Sequence, residues 1–303
     1  MSRINELEGG LIVSCYADWS INPYMDNDVA ISCMAKSCIA GGASAIRTNL
    51  EHVKAIRESI KEPLIGIKKI YKDGDTDSPD FRITPTMKEV DALIAAGADG
   101  IAIDGTKRER YDNTPLDVFI HQIKEKYPDI FLVADVSTLE EGLFCYKNGV
   151  DIIGTTLSGY TPYSKNPIKF GTIPAPDPDY ELISELRKAG VEKVIAEGRI
   201  NDGYKMKKCL DAGAFAVVIG TSITEPKKIV KTILNDTNEI LTVSAYLNGE
   251  YGHKDIYIGV PAIINSNGAR ELLELELNEN DQKRLDDSCE ILSENMKNIR
   301  EVL

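Results

Sequence analysis

The sequence predicts an α/β fold, because short apolar runs alternate with amphipathic helical patterns from Gly10 to about Val230. Near-continuous apolar runs are typical of parallel strands buried on both faces. Eight such runs are present: LIVSC, ASAIR, LIGIK, GIAID, FLVAD, DIIGT, KVIAE and FAVVIG. Eight strands that alternate with helices predict a (β/α)8 TIM barrel in residues 1–230.

A doubly wound open sheet is the alternative architecture. The count of eight favours the barrel, and no GxGxxG motif follows any of the runs, so a dinucleotide fold lacks its main signal. Among the helical patterns, TPTMKEVDALIAAGA is expected to begin with Thr84 as its N-cap and Pro85 at its first helical position.

Composition restricts the class of partner. The chain has 303 residues and a net charge of -13, which argues against nucleic acid and against an anionic membrane surface. No apolar run approaches the ~20 residues that a membrane-spanning helix needs. A small anionic substrate is still compatible, because a local cluster of positive groups outweighs the global field.

The cysteines and the N-terminus indicate the compartment. Six cysteines occur without a CxxC pair, which predicts buried thiols and neither a disulfide framework nor a metal site. The start MSRINELEGG lacks the layout of a signal peptide. We therefore expect a cytoplasmic protein.

Polar residues end most of the apolar runs. In a barrel, chemistry takes place at the C-terminal ends of the strands, although each such residue could equally be a loop residue or a helix cap. The candidates are Cys15, Tyr16, Arg47, Lys69, Asp104, Asp135, Thr155, Thr156, Glu197, Gly220 and Thr221.

Side-chain parity in LIGIKKIY selects one lysine. Ile65, Ile67 and Lys69 share one face of the strand, so Lys69 should point into the barrel mouth and Lys68 into the helix layer. Glu197 ends the seventh strand, which lies opposite the third in a ring of eight. A lysine and a carboxylate across one pocket can act on two faces of a carbon, as epimerisation requires. A structural ion pair is the alternative.

Two glycine-containing loops follow the last two strands. AEGRI contains Gly198 and Arg199, and IGTSI contains Gly220 and Thr221. Barrels often bind phosphate at this position through backbone N–H groups and the N-terminus of a short helix. Glycine also commonly allows the chain to turn after a strand, so these loops alone do not identify a phosphate site.

Nine segments of residues 1–230 resemble the bacterial N-acetylmannosamine-6-phosphate 2-epimerases in order and spacing. They are LIVSC, AIR, IGIKK, RITPTMKEVD, AIDGTKR, ADVSTLEEG, GTTLSGYTPYS, AEGRIN and GTSIT. The combination of GTTLSGYT with a downstream EGRIN is the specific part. The resemblance implies inversion of C2 in a sugar phosphate, in sialic acid or amino sugar catabolism, without a metal or an organic cofactor.

The resemblance also implies roles for residues. Lys69 and Glu197 would be the catalytic pair, and Arg47 would contact substrate. Asp104 and Asp135 are candidates for holding sugar hydroxyls or for orienting the lysine, and a purely structural role is the alternative for each. The predicted substrate-binding set is Tyr16, Arg47, Asp104, Asp135, Thr156, Gly198, Arg199, Gly220 and Thr221.

Two positions depart from the family pattern. Tyr16 stands where glutamine is usual, and Glu225 stands where the motif I-T-R places an arginine that meets the phosphate. Three outcomes are open: Arg199, Lys227 or Lys228 supplies the charge, the substrate lacks the phosphate, or activity is reduced.

The tail has a different origin. From about Lys228 to Leu303 the sequence is similar to the C-terminal segment of L-lactate dehydrogenases, through TVSAYLNGEYG, YIGVPAIINSNG and LELELNE. It predicts strands over 240–247, 255–260 and 269–277, then a helix from Glu279 with an apolar stripe of Leu285, Cys289, Leu292, Met296 and Ile299. The domains are therefore expected to be 1–230 and 231–303.

This tail resembles none of the dehydrogenase's catalytic parts. His253 is expected to be a solvated turn residue. The α+β tail would expose one apolar face of its sheet, so we expect it to pack on the barrel or to form a homodimer. The chain therefore looks like a chimera. The alternatives to an epimerase are a Schiff-base lyase or aldolase, an epimerase of an unphosphorylated sugar, and an inactive scaffold.

Overall fold

The computed structural model describes residues 3–17, 23–71, 81–168, 176–235, 239–265 and 268–300. The chain divides into two compact units, Met1–Ile229 and Val230–Leu303. No helix in these described ranges has the length and apolar character needed to cross a membrane.

The first unit contains ten strands in its described part. They are β1 (Leu11–Ser14), β2 (Ala45–Asn49), β3 (Leu64–Ile67), β4 (Lys69–Tyr71), β5 (Phe81–Ile83), β6 (Gly100–Asp104), β7 (Phe131–Asp135), β8 (Ile152–Gly154), β9 (Val194–Glu197) and β10 (Ala216–Ile219). Eight of them close a barrel in the order β1-β10-β9-β8-β7-β6-β3-β2. Every pairing in this barrel is parallel. The predicted TIM barrel is confirmed, and its strands lie within one or two residues of the predicted runs.

Helices follow most of the barrel strands. They are α1 (Asp28–Ala40), α2 (Leu50–Ser59), α3 (Met87–Ala95), α4 (Leu116–Lys126), α5 (Leu139–Lys147), α6 (Tyr180–Lys188), α7 (Gly203–Asp211), α8 (Thr221–Thr224) and α9 (Pro226–Asn235), and a short 3-10 helix (Ile4–Leu7) precedes β1. The short helix α8 follows directly on the last barrel strand.

The predicted start of α3 at Thr84 and Pro85 is wrong. Thr86 is the N-cap, and its backbone N–H donates to the Glu89 carboxylate at 3.1 Å in a capping box. Thr84 has a positive φ of 45° and its hydroxyl accepts from the Lys68 N–H at 3.1 Å. Threonine, a common N-cap residue, occurs in this segment at both Thr84 and Thr86. The positive φ of Thr84 excludes it as the N-cap.

Alternation along the strands produces two apolar layers. Ala45, Ile65, Ala102, Val133 and Ile195 belong to the cluster inside the barrel. Their neighbours on the same strands belong to the cluster between the sheet and the helices: Ile46, Leu64, Ile101, Leu132 and Val194. Residues two positions beyond an interior residue therefore point toward the mouth.

One feature of the barrel was not predicted. Strand β3 ends at Ile67, and Lys69 begins a separate two-stranded antiparallel hairpin, β4 with β5. In its register Lys69 lies opposite Ile83 and Tyr71 opposite Phe81. The apolar pattern predicts Lys69 at the end of the third barrel strand, whereas the chain leaves the barrel at Ile67 to form this hairpin.

The second unit is a three-stranded antiparallel sheet with one long helix. Its elements are β11 (Glu239–Asn248), β12 (Lys254–Asn265), β13 (Gly268–Leu272) and α10 (Glu279–Arg300), with a 3-10 turn (Glu250–Gly252) between β11 and β12. The small α+β tail is confirmed, but its third strand ends at Leu272, well short of the predicted residue 277. Cys289 is buried in its apolar cluster with Leu285 packed beside it, and the side chains of Met296 and Ile299 lie outside the described residues.

His253 differs from its prediction as a solvated turn residue. Its Nε2 lies 2.8 Å from Oδ1 of Asp286 on α10, and only 24% of its side chain is exposed. This contact lowers the pKa of Asp286, first through the hydrogen bond from His253. The histidine thus ties the hairpin turn to the helix.

Candidate active site

The site is built at the C-terminal ends of the barrel strands. Arg47 on β2, Asp135 on β7 and Glu197 on β9 each follow an interior residue by two positions, so all three side chains point into the mouth. Arg47 is 2% exposed and Asp135 is fully buried, while Glu197 keeps 16% of its side chain exposed. The carboxylate of Glu197 is thus the most exposed of these three charged groups.

Arg47 bridges the two carboxylates. Its Nη2 donates to Oδ2 of Asp135 at 2.6 Å and its Nη1 to Oδ1 at 3.2 Å. The same Nη1 lies 2.9 Å from Oε2 of Glu197. Burial alone would lower the pKa of Arg47, but the charges of Asp135 and Glu197 raise it, so this guanidinium is permanently charged.

Thr156 completes this cluster from the loop after β8. Its hydroxyl donates to Oδ1 of Asp135 at 2.5 Å and lies 3.3 Å from Oε2 of Glu197. Gly154 allows this close packing, since a Cβ at that position would lie 2.9 Å from Oδ1 of Asp135. The sequence placed Thr156 among the substrate-binding residues, and here its hydroxyl joins the two carboxylates.

The ionisation of Glu197 reflects its neighbours. Burial raises its pKa most strongly, the charge of Arg47 opposes that rise, and the charge of Asp135 adds to it. Lys69 also lowers this pKa through its charge, as the weakest of the five contributions. The net direction is upward, because burial outweighs the opposing charges of Arg47 and Lys69.

Lys69 enters the same mouth from the opposite side. Strands β3 and β9 lie four positions apart in the closed ring of eight, as predicted. Its ammonium Nζ lies 4.4 Å from the ring centroid of Tyr16 and 5.0 Å from that of Phe81. Lys68, by contrast, pairs with Glu51 in the first turn of α2, so the parity argument separated the two lysines correctly.

Phe81 is a site residue that the sequence analysis missed. It lies in the first position of β5, diagonal to Lys69 in the hairpin, and its ring packs 5.7 Å from that of Tyr71. Apolar and polar residues alternate in Phe81, Arg82 and Ile83, which is the pattern of a short strand. It was not recognised because three residues are too few to separate a strand from a loop.

Asp104 makes side-chain hydrogen bonds within its own loop. Its Oδ1 accepts from the backbone and hydroxyl of Thr106, and its Oδ2 accepts from Nη2 of Arg108. The structure therefore uses Asp104 to hold the loop after β6. A contact of Asp104 with a sugar hydroxyl stays a prediction.

The two predicted phosphate loops are adjacent across β9 and β10. Gly198 and Arg199 both have positive φ, 108° and 62°, which forms a tight turn after β9. The guanidinium of Arg199 donates to the carbonyls of Ser158 at 2.7 Å and Asp177 at 3.1 Å. Arg199 thus fixes the loop after β8, and its contact with substrate stays a prediction.

The loop after β10 contains the departure from the family pattern. Gly220 caps α8, and its carbonyl accepts from the backbone N–H groups of Ile223 and Thr224. The Thr221 hydroxyl donates to Oε1 of Glu225 at 2.9 Å. A carboxylate therefore lies next to the helix start at which barrels commonly hold phosphate.

Comparison with known proteins identifies the family. The profile of the N-acetylmannosamine-6-phosphate epimerase family NanE matches residues 31–239. A protein of Caldanaerobacter subterraneus named N-acetylmannosamine-6-phosphate 2-epimerase is 42% identical over 240 residues, which cover 79% of this chain and 95% of that relative. The chain belongs to the NanE epimerase family.

A second relative and a solved structure agree with this assignment. The epimerase of that name from Malacoplasma penetrans is 40% identical over 76% of this chain and 96% of its own length. The structure of the N-acetylmannosamine-6-phosphate 2-epimerase from Clostridium perfringens is 40% identical, with a TM-score of 0.67, and covers 76% of this chain and 94% of its own. A structure described as an aldolase is 19% identical with a TM-score of 0.50, which shows the shared fold alone.

The tail also has a family match. The profile of the lactate/malate dehydrogenase α/β C-terminal domain matches residues 205–303. The two profiles overlap over residues 205–239, a segment that includes β10, α8 and α9. The predicted combination of an epimerase barrel with a dehydrogenase-like tail is thereby confirmed.

Proposed function

We propose that this protein is an isomerase that interconverts N-acetylmannosamine 6-phosphate and N-acetylglucosamine 6-phosphate by inverting C2. The NanE profile and the named relatives support the reaction. The observation that carries the mechanism is the arrangement of Glu197, bridged by Arg47, in the same mouth as Lys69, which begins the hairpin that follows the opposing strand β3.

The substrate chemistry explains why two groups suffice. In the open-chain sugar C1 is an aldehyde, which acidifies the hydrogen on C2. One group removes this proton and a group on the other face returns a proton, so the configuration inverts. Lys69 and Glu197 are the pair we propose for these roles, with neither a metal nor an organic cofactor in the reaction.

Arg47 has two roles in this scheme. It holds Glu197 at 2.9 Å, and its charge opposes the rise in the pKa of that carboxyl. A fixed positive charge beside Glu197 also stabilises the negative charge that develops on the substrate when C2 loses its proton. Asp135 and Thr156 orient Arg47 and Glu197 in turn.

The substrate phosphate would bind between the turn of Gly198 and the helix start at Gly220 and Thr221. We expect the protein to act in the cytoplasm, on sugar phosphates released during sialic acid or amino sugar catabolism. Six cysteines without a CxxC pair support a reducing compartment.

The decisive experiment is proton NMR of each sugar phosphate in deuterated water with the wild type, Lys69→Met and Glu197→Gln. The wild type should exchange the C2 hydrogen and form the other epimer. Each variant should lose inversion by about 10²–10⁴-fold. Each should also retain exchange in the one epimer whose C2 hydrogen faces the remaining group.

The outcomes separate the mechanisms. If a folded wild type exchanges neither sugar phosphate, the proposed reaction is wrong. If one variant keeps full inversion, the residue that was changed is not half of a two-group mechanism. Glu192→Gln is the matched control, because Glu192 is an exposed carboxylate just before β9. Borohydride with substrate should give no adduct on Lys69, since proton transfer forms no Schiff base.

A further inference from the structure

The amine of Lys69 is held between two aromatic rings that come from separate segments. Its Nζ lies 4.4 Å from the centroid of Tyr16, which follows β1, and 5.0 Å from that of Phe81 on β5. Both distances are within the ~6 Å at which a ring face attracts a cation. Both rings also pack against the apolar cluster inside the barrel, so neither stands free at the surface.

The position of Tyr16 is fixed by backbone contacts on both of its sides. The Cys15 N–H donates to the carbonyl of Arg47 at 2.8 Å, and the Thr48 hydroxyl donates to the carbonyl of Cys15 at 2.8 Å. The Ala17 N–H reaches Oδ1 of Asn49 at 3.4 Å. Three contacts to β2 therefore hold the backbone on both sides of Tyr16, from which its ring extends toward Lys69.

Phe81 is fixed independently. The pairing of β4 with β5 sets it diagonal to Lys69, and its ring contacts Tyr71 at 5.7 Å between centroids. The hairpin base is closed by the Thr84 N–H, which donates to the carbonyl of Lys68 at 2.6 Å. Lys69 and Phe81 thus belong to one hairpin, and Tyr16 belongs to the segment after barrel strand β1.

We propose that Tyr16 is a positioning residue for the catalytic Lys69, and that its ring and that of Phe81 form an aromatic clamp around the lysine amine. This inference rests on the proposed function of Lys69. A ring face attracts the ammonium electrostatically and packs against the lysine stem after the proton has left. The clamp therefore keeps Nζ at one place in both protonation states.

This role differs from the substrate contact that the sequence predicts for Tyr16. A clamp needs the ring and not the hydroxyl, whereas a sugar contact needs the hydroxyl. Tyr16→Phe should therefore keep kcat within about twofold, and Tyr16→Leu should lower kcat about tenfold with little change in KM, which corresponds to about 1.4 kcal/mol. Phe81→Leu should act in the same direction and provides a second variant if Tyr16→Leu does not fold.

The matched control is a second lysine and ring pair on the same barrel. The Nζ of Lys107 lies 4.6 Å from the ring centroid of Tyr163, outside the Arg47 cluster. Tyr163→Leu removes a comparable contact, and it should leave kcat unchanged. A loss of kcat in this control would mean that ring removal in general disturbs the barrel.

A spectroscopic measurement tests the clamp without activity. Lysines are methylated reductively with ¹³C-formaldehyde, and the Lys69 methyl signal is identified by its absence in Lys69→Met. A ring face shifts this signal upfield, so the shift should appear in the wild type and in Tyr16→Phe and decrease in Tyr16→Leu. The signal is independent of the reaction, so the clamp can be confirmed even if the proposed epimerisation fails.

Three results would overturn the clamp. The first is an unshifted Lys69 signal in the wild type. The second is a Tyr16→Phe variant with the same loss as Tyr16→Leu, because that outcome assigns the effect to the hydroxyl. The third is a folded Tyr16→Leu variant with wild-type kcat.

Discussion

The guanidinium of Arg47 lies 2.9 Å from the carboxylate of Glu197 in the barrel mouth. Its other amino group donates to Asp135 at 2.6 Å, and both members of that second pair are almost completely buried. A residue of β2 thereby joins a residue of β7 to a residue of β9. This bridge holds one proposed catalytic group in place, and it also has a measurable effect on stability.

Removing Arg47 should destabilise the barrel. Arg47→Met leaves the buried Asp135 carboxylate without its cation, so the free energy of unfolding should fall by about 3–5 kcal/mol in urea titration. Adding Asp135→Asn should recover part of this loss, because the second change removes the uncompensated charge. Lys207→Met is the control, since the exposed Lys207–Asp211 pair contributes at most about 0.5 kcal/mol. Equal losses in Arg47→Met and Lys207→Met would contradict the buried bridge.

Glu197 should make stability fall as pH rises. Burial raises its pKa above the ordinary 4.5, so above that pH the folded state binds more protons than the unfolded state. Its contribution is therefore fully present below pH 4.5 and is lost as pH rises through the folded pKa. Urea titrations of the wild type and Glu197→Gln should show the wild type losing stability relative to the variant from pH 4.5 upward. Parallel pH curves for the two proteins would show that the pKa is not raised.

Glu225 should weaken the binding of a phosphorylated substrate. Its carboxylate accepts from Thr221 at 2.9 Å beside the proposed phosphate position, where a negative charge repels the phosphate. The residue is partly exposed, so solvent reduces the repulsion to about 1 kcal/mol, which is about fivefold in KM. Glu225→Gln should therefore lower KM for the sugar phosphate at unchanged kcat, and Glu225→Arg should lower it further. An unchanged KM in both variants would place the phosphate elsewhere.

The tail should bind no nicotinamide cofactor. Its match is to the C-terminal domain of the lactate/malate dehydrogenases, and its described elements are an antiparallel sheet and a helix. Dinucleotides bind to parallel sheets through a glycine-rich turn at the start of a helix. Titration with NADH, followed by cofactor fluorescence, should show no saturable change, with a complete lactate dehydrogenase as the positive control. A saturable signal would contradict this assignment.

The tail sheet should support the predicted homodimer through its open face. Tyr246 and Tyr257 are paired across β11 and β12 on that face and are 44% and 59% exposed, and Ile240, near the start of the same strand and on the same face, is 63% exposed. Exposed apolar surface of this kind favours association. Sedimentation equilibrium should show a dimer that Tyr257→Lys weakens. A monomer at all concentrations in the wild type would exclude it.

Much of the barrel could be predicted because strand burial leaves a direct signal. Eight apolar runs gave eight barrel strands, and period-two alternation predicted Lys69 in the mouth and Lys68 in the helix layer, where the structure pairs Lys68 with Glu51. Arg47, Asp135 and Glu197 are predicted as polar residues that end apolar runs, and in the structure each follows an interior residue by two positions. Thr84 is not the helix cap that the sequence predicts, because it lies at the base of the hairpin with a positive φ. The sequence does not reveal this backbone conformation.

The sequence by itself determined the fold, the family and the strand ends at which the polar groups lie, because these follow from local periodicity and motif spacing. Only the tertiary structure decided which of those groups meet. It joined Arg47 to Glu197 and Asp135, and it turned Asp104 toward its own loop. It also placed Tyr16 and Phe81 around Lys69. The physical reason is that closing the barrel brings together residues far apart in the chain, and side-chain distances across the mouth depend on ring closure and register.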